Sequence, residues 1–207
     1  MHYITSYLWE QGARPDNQDS LSILNLTIGH TPYLFAAVAD GIGGLSKGST
    51  ASAVLVHNLK CAFEEASHLS HPPSRSNLKH LILRELYRTH LHLLEYGRQQ
   101  DLELGTTCSL VCIAGTHGFA IHIGDSHIYH RHHRLFPHPL RRTTTYGPDH
   151  IDSSGHLTRC IGHGSFHRIH CYNFTMHTGD SLVLCTDGYY RGNRLDNSTA
   201  ITISSIH

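Results

Sequence analysis

Five short segments, rich in aspartate, glycine and asparagine, stand at the ends of apolar runs. They are Arg14-Pro-Asp-Asn-Gln-Asp19, Ala39-Asp-Gly-Ile-Gly-Gly44, Leu104-Gly-Thr-Thr107, Ile123-Gly-Asp-Ser126, and Cys185-Thr-Asp-Gly188 followed by Asp196-Asn-Ser-Thr199. An aspartate that ends a buried strand projects its carboxylate from a fixed point, and a glycine after it lets the chain turn away. Several such ends converging would offer only oxygen ligands, which favour Mg²⁺ or Mn²⁺ over zinc or copper. Carboxylates gathered without a cation would repel one another and take up protons. Two cations about 3.5–4 Å apart can activate a water and hold a phosphate for in-line attack. An arginine nearby can grip that phosphate with a bidentate fork. Any one Asp-Gly pair is most often only a turn; the specificity lies in the set and its order.

The elements that must position these residues follow from the hydrophobic pattern. The first forty residues read as strands. Leu21–Ile28 is largely apolar, and Tyr33–Ala39 is a continuous apolar run, as in a strand buried on both faces. A helix capped by Ser46 or Ser49 is expected next, with Ala51, Val54, Leu55, Leu59, Ala62 and Phe63 on one side. After the break at His71-Pro-Pro-Ser74, a second helix is predicted from about Asn77 to Arg98. Beyond Gly105 the period turns to alternation. Strands are predicted over Thr107–Ile113, Phe119–Ile123 and Ser126–His130, with a hairpin turn at Gly115–Gly118. His132–Gly155 has no clear period and reads as irregular surface structure. Strands resume at about Arg168–Phe174, Ser181–Cys185 and Thr199–Ile206. Strands, then two helices, then strands imply sheets with helices on their outer faces, not a repeating βαβ unit.

Composition narrows the class. The length suits one domain over residues 1–207. A formal net charge of zero, from 16 basic and 16 acidic residues, offers no field to attract nucleic acid or an anionic membrane. No run is long and apolar enough to span a bilayer, and the first ten residues lack a secretory pattern, so a cytoplasmic monomer is expected. The six cysteines form no C-x-x-C pair and read as reduced thiols, several within apolar runs. The 22 histidines are unusual. Zinc could be argued from His130, His132 and His133, or from His163 and His167. Their spread without a repeated ligand pattern favours exposed polar positions. Protonating many of them below about pH 6 is expected to weaken the fold.

Taken together, the segments resemble the PPM (protein phosphatase 2C) serine/threonine phosphatases in their compact bacterial form. The resemblance rests on Arg14 to Asp19, Val38 to Gly44, Gly105 to Thr107, Gly124 to Ser126, Leu157 to Gly162, Gly179-Asp180 through Gly188, and Asp196 to Thr199 with the closing strand. It covers nearly the whole chain. It implies an α+β, four-layer α-β-β-α sandwich of two antiparallel sheets flanked by helices, with metals at one end. It implies a metal-dependent hydrolysis of phosphoserine or phosphothreonine by a water bridging two Mn²⁺ or Mg²⁺ ions. Asp40 would bridge the ions, and Asp187 and Asp196 would complete the first site. The carbonyl of Gly41 would serve the second, with Gln18 or Asp19 acting through water and Asn197 in support. Asp125 would hold a third, weaker ion, and Arg14 would grip the phosphate. The partners implied are a phosphorylated protein and a cognate serine/threonine kinase or its targets.

Three departures are visible. Position 18 is Gln where many members have Glu. Position 42 is Ile, so the histidine that some members place there as general acid is absent. Asp187 and Asp196 are only nine positions apart, where the family usually inserts several dozen residues. The flap between Asp125 and Asp187 is also short. These features imply a minimal, open catalytic domain, and they admit a second reading, a weak or inactive relative that binds a phosphoprotein or a partner as a regulator.

Overall fold

The structure, a computed structural model, describes residues 1–42, 47–69, 71–133, 142–166 and 169–206. Strands β1 (His2–Glu10), β2 (Asp19–Ile28) and β3 (Thr31–Asp40) come first, then helices α1 (Gly48–Ser67) and α2 (Arg75–Gln100). Strands β4 (Cys108–Ala114), β5 (His117–Ile123), β6 (His127–His132), β7 (Arg142–Thr145), β8 (His170–Thr175) and β9 (Ser181–Cys185) follow. Helix α3 (Asp187–Tyr190) and strand β10 (Ser198–Ile206) close the order. Two antiparallel five-stranded sheets result, β1-β10-β9-β6-β7 and β2-β3-β4-β5-β8.

Burial on both faces explains the central strands. In β3, Phe35, Ala37 and Ala39 face the core shared with α1 and α2, while Leu34, Ala36 and Val38 face the other sheet. Strict alternation lets one strand serve both cores. Two layers of helix and two of sheet are thus present, as expected, but unevenly. Among the described residues, the β1-β10-β9-β6-β7 sheet carries only the short α3 on its outer side, where Tyr190 packs against Val183, Cys185 and Ala200.

The structure also corrects details. Helix α1 starts after Lys47 with no side-chain cap, and Ser49 lies inside it; Ser46 lies outside the described residues. The start is set by packing, because a Cβ on Gly48 would meet the backbone of Gly41. Helix α2 is capped by Ser74, whose Oγ accepts the Asn77 N–H. Within the segment read as irregular, Arg142–Thr145 forms strand β7 on β6, since β-branched threonines suit a sheet edge. The hairpin turn narrows to Gly115 and Thr116, because Ala114 pairs with His117.

Four cysteines are buried, and Cys171 is exposed. The view of the histidines as surface positions fails for His90, His122, His130 and His150, all buried. His122 lies between Ser109 Oγ and the Pro148 carbonyl, and burial lowers its pKa to about 4. No described helix is long and apolar enough to cross a membrane.

Candidate active site

Asp40 ends β3 opposite Asp19, the first residue of β2. Its backbone is held from both sides: Asp40 N–H donates to Thr107 Oγ1, and Thr107 N–H donates to the Asp40 carbonyl, each at 2.9 Å. Thr107 Oγ1 lies 2.6 Å from Ser126 Oγ. The Gly-Thr-Thr and Gly-Asp-Ser segments are therefore the brace that fixes the end of β3. Gly124, at φ +110°, packs on Thr107 where any Cβ would collide. Gly41 is equally constrained, its Cβ position filled by the backbone of Gly48 and Gln18.

Asp187 enters from the opposite sheet, at the start of α3 just beyond β9. The nine-position segment to Asp196 closes without strain because another part of the chain holds its far end. Asn197 Oδ1 accepts the Gln18 N–H at 2.9 Å, and its amide donates to the carbonyls of Gln11 and Asp16. Gly12, at φ +65°, lies where a side chain would strike the Asp196 backbone. Arg14 makes a bidentate pair with Asp196, Nε to Oδ1 at 2.9 Å and Nη2 to Oδ2 at 3.0 Å.

These residues line one cleft of about 460 Å³: Arg14, Gln18, Asp40, Gly41, Asp125, Asp187, Asp196 and Asn197. Asp19 does not line it. Its carboxylate is buried, and Oδ2 accepts from Thr186 Oγ1. Three residues missed by sequence reasoning belong here. His156 and Leu157 line the wall. Arg191 pairs with Asp187 at 3.1 Å and reaches Asp125 at 4.0 Å. Its spacing four residues after Asp187 was the available signal, since one helical turn brings such a pair together.

Arg14 and Arg191 offset the rim carboxylates Asp196 and Asp187, while the more deeply placed carboxylates crowd one another. Burial, then the charges of Asp19, Asp187, Asp125 and Asp196, push the Asp40 carboxyl well above its ordinary range. Burial raises Asp19 to about 6, against the Thr199 and Thr186 hydroxyls and with the help of Asp187 and Asp196. Asp125 rises through burial and Asp187, with Arg191 as a partial offset. An all-oxygen donor set in which Asp40, Asp19 and Asp125 are held above the ordinary carboxylate range fits hard divalent cations. No three of the cleft carboxylates have oxygens within 4.8 Å of one another.

Comparison with known proteins agrees with this geometry. The family model described as protein phosphatase 2C matches residues 13–205. No curated protein matches the chain by sequence. Among solved structures, the chain resembles PppA, a regulatory component of the type VI secretion system (T6SS) in Pseudomonas aeruginosa. The TM-score is 0.78 at 18% identity, covering 100% of this chain and 99% of that one. It resembles the serine/threonine phosphatase Stp1 from Staphylococcus aureus with a TM-score of 0.81 at 16% identity, over 100% and 96% of the two chains. It also resembles the catalytic domain of the phosphatase PstP in complex with two manganese ions, with a TM-score of 0.76 at 20% identity over 99% of each.

Proposed function

The chain belongs to the protein phosphatase 2C family, and on that premise we propose that it is a metal-dependent phosphatase of phosphoserine and phosphothreonine in proteins, with residues 1–207 as one catalytic domain. The observation that carries the reading is the convergence of Arg14, Asp40, Asp125, Asp187 and Asp196, distant in sequence, on one cleft.

Asp40, Asp187 and Asp196 would hold two Mn²⁺ or Mg²⁺ ions, with the Gly41 carbonyl and, through water, Gln18 or Asp19. Asp125 would hold a third, weaker ion. When bound, the ions supply an activated water and positive charge at the transferring phosphoryl group. Each part of the chain then has a task. The Thr106-Thr107-Ser126 brace keeps Asp40 from yielding to its neighbours' repulsion. Asn197 sets Asp196 in place. Arg14 stands at the cleft edge with its guanidinium half exposed, so it can exchange Asp196 for a phosphate without entering the interior. A bidentate fork suits either partner. With isoleucine at position 42, the leaving alkoxide takes its proton from water or from His156, the one described histidine along the cleft wall. Substrates would be phosphorylated proteins, such as the targets of a serine/threonine kinase.

Hydrolysis of a phosphothreonine peptide, with and without Mn²⁺, tests the reading. Turnover that requires Mn²⁺ and disappears in Asp40→Asn and Asp187→Asn is expected. Mn²⁺ binding without turnover would make the chain a non-enzymatic, phosphoprotein-binding relative. Full activity in both variants would sink the metal assignment.

A further inference from the structure

The two sheets have a second end, and it is built from different chemistry. Strand β6 begins beside the carboxylate cleft at His127 and ends at His132, while Asp180 precedes β9 at the far end. The register, His130↔Leu182 and Arg131↔Ser181, brings Asp180 level with His132. At about 3.4 Å per residue, the β9 strand puts this point roughly 17 Å from the cleft side.

There His130 Nε2 lies 3.1 Å from Asp180 Oδ2, and His132 Nδ1 lies 3.8 Å from the same oxygen. These three ligand atoms all lie within 4.8 Å of one another. His130 and Asp180 are fully buried, and His132 is about a quarter exposed. His177 approaches from the solvent side, with Nδ1 3.4 Å from Asp180 Oδ2.

We propose that His130, His132 and Asp180 form a binding site for a late first-row divalent cation such as Zn²⁺, separate from the carboxylate cleft. Four-coordinate Zn²⁺ with bonds of about 2.0–2.1 Å sets its ligands roughly 3.4 Å apart. The observed separations bracket that value. Two imidazoles and one carboxylate, with a fourth position open toward His177 or water, match the donors such ions prefer and Mg²⁺ does not.

The surroundings carry the argument further. Each histidine turns one nitrogen toward Asp180 and engages the other with a hydroxyl. His130 Nδ1 lies 2.9 Å from Tyr146 Oη, and His132 Nε2 lies 3.1 Å from Thr144 Oγ1. With nothing bound, His130 Nε2–H donates to Asp180 Oδ2; a cation would displace that proton, and the Tyr146 and Thr144 hydroxyls would then accept from the outer ring N–H groups and fix the rings. Asp180 is anchored as well: Oδ1 accepts the His133 N–H at 2.8 Å, and Oδ2 accepts the His177 N–H at 2.9 Å. The ring centroids of His130 and His132 are 3.9 Å apart, a proximity that neutral rings tolerate and protonated ones resist. Burial, followed by His132, lowers the His130 pKa and keeps the ring in its ligating form. Hydrogen bonds from His133, His177 and His130 outweigh burial and hold Asp180 below the usual carboxylate range, in its ligating form too.

The test measures Zn²⁺ binding by calorimetry and Co²⁺ binding by visible absorption on the full chain, comparing wild type, Asp40→Asn and His132→Asn. A high-affinity Zn²⁺ phase and an intense four-coordinate Co²⁺ band are expected in wild type. Asp40→Asn retains both; His132→Asn loses both and keeps its Mn²⁺-dependent hydrolysis. Thr144→Val, which removes only the outer hydrogen bond of His132, weakens Zn²⁺ about 10-fold. Undiminished binding in His132→Asn would overturn the proposal by assigning the ion to other histidines. Loss of the Co²⁺ band in Asp40→Asn would assign it to the cleft.

Discussion

Asp40 and Asp180 occupy mirror-image positions in the fold, each where a buried strand meets one end of the sandwich, and their surroundings drive them in opposite directions. Asp40 stands among four other aspartates, and its carboxyl is pushed far above its ordinary pKa. Asp180 stands among imidazoles and two donating amides, and its carboxyl is pulled below it. A carboxylate that its neighbours satisfy stabilises a fold, whereas one that they repel creates a demand for a cation. The first end is poor structure and good chemistry; the second is sound structure even with nothing bound.

Substituting each aspartate breaks the comparison most directly. Asp40→Asn is expected to lower hydrolysis by about 10³-fold, or roughly 4 kcal/mol in the barrier. In EDTA the same variant should melt above wild type, because one repelling charge is gone. A lower melting temperature there would show that the cleft is not strained by its charges. Asp180→Asn is expected to do the reverse, with a stability loss of about 3 kcal/mol by urea denaturation and Mn²⁺-dependent kcat/KM retained.

The pH dependence sharpens the contrast. Asp19 has its folded pKa raised to about 6, so its favourable contribution is complete below the unfolded value of 3.8 and is lost as pH rises through 6. Mn²⁺ removes that penalty. The increase in melting temperature on adding Mn²⁺ should therefore be larger at pH 7.5 than at pH 5. Histidines titrate with and without the ion, so the increment isolates the carboxylates; an increment that shrinks with pH would contradict the reading. The smallest effect concerns Arg191, half exposed beside Asp187 and Asp125. Arg191→Ala removes a competing cation, and a further Mn²⁺ at Asp125 should bind about 2–5-fold tighter by calorimetry, the scale of an exposed ion pair.

Much of the cleft was legible in the sequence because its parts are local. Asp40 and Asp187 announce themselves by an apolar run on one side and glycine on the other, and β3 and β9 follow from the same runs. What escaped depends on register between distant segments. His130 and Asp180 are fifty positions apart, and only the pairing of β6 with β9 brings them together. Spread along the chain, the histidines looked like surface residues; among the described residues the fold buries His90, His122, His130 and His150. Strand β7 was missed because it is a short edge whose alternate threonines are exposed, so no apolar period marks it. The nine-position spacing does not by itself tell where Asp196 lies; its position is set by Asn197 and Gly12, which join it to residues 11–18.

That joining has a consequence for how the protein is made. Strand β1 pairs with β10 from His2↔Ile206 to Glu10↔Ser198, so β1 gains this partner only after about two hundred further residues have been made. The cleft draws Arg14, Gln18, Asp40 and Gly41 from early in the chain and Asp125, Asp187 and Asp196 from later in it, with its clamp completed only at Asn197. A nascent chain emerging from the ribosome thus carries its earliest catalytic groups long before they can meet. A chain truncated after Tyr190, assayed for Mn²⁺ binding and phosphopeptide hydrolysis, should show neither. Phosphatase capacity would then arise in one late step, when the final strand threads between β1 and β9, and no fragment would act on phosphoproteins ahead of time.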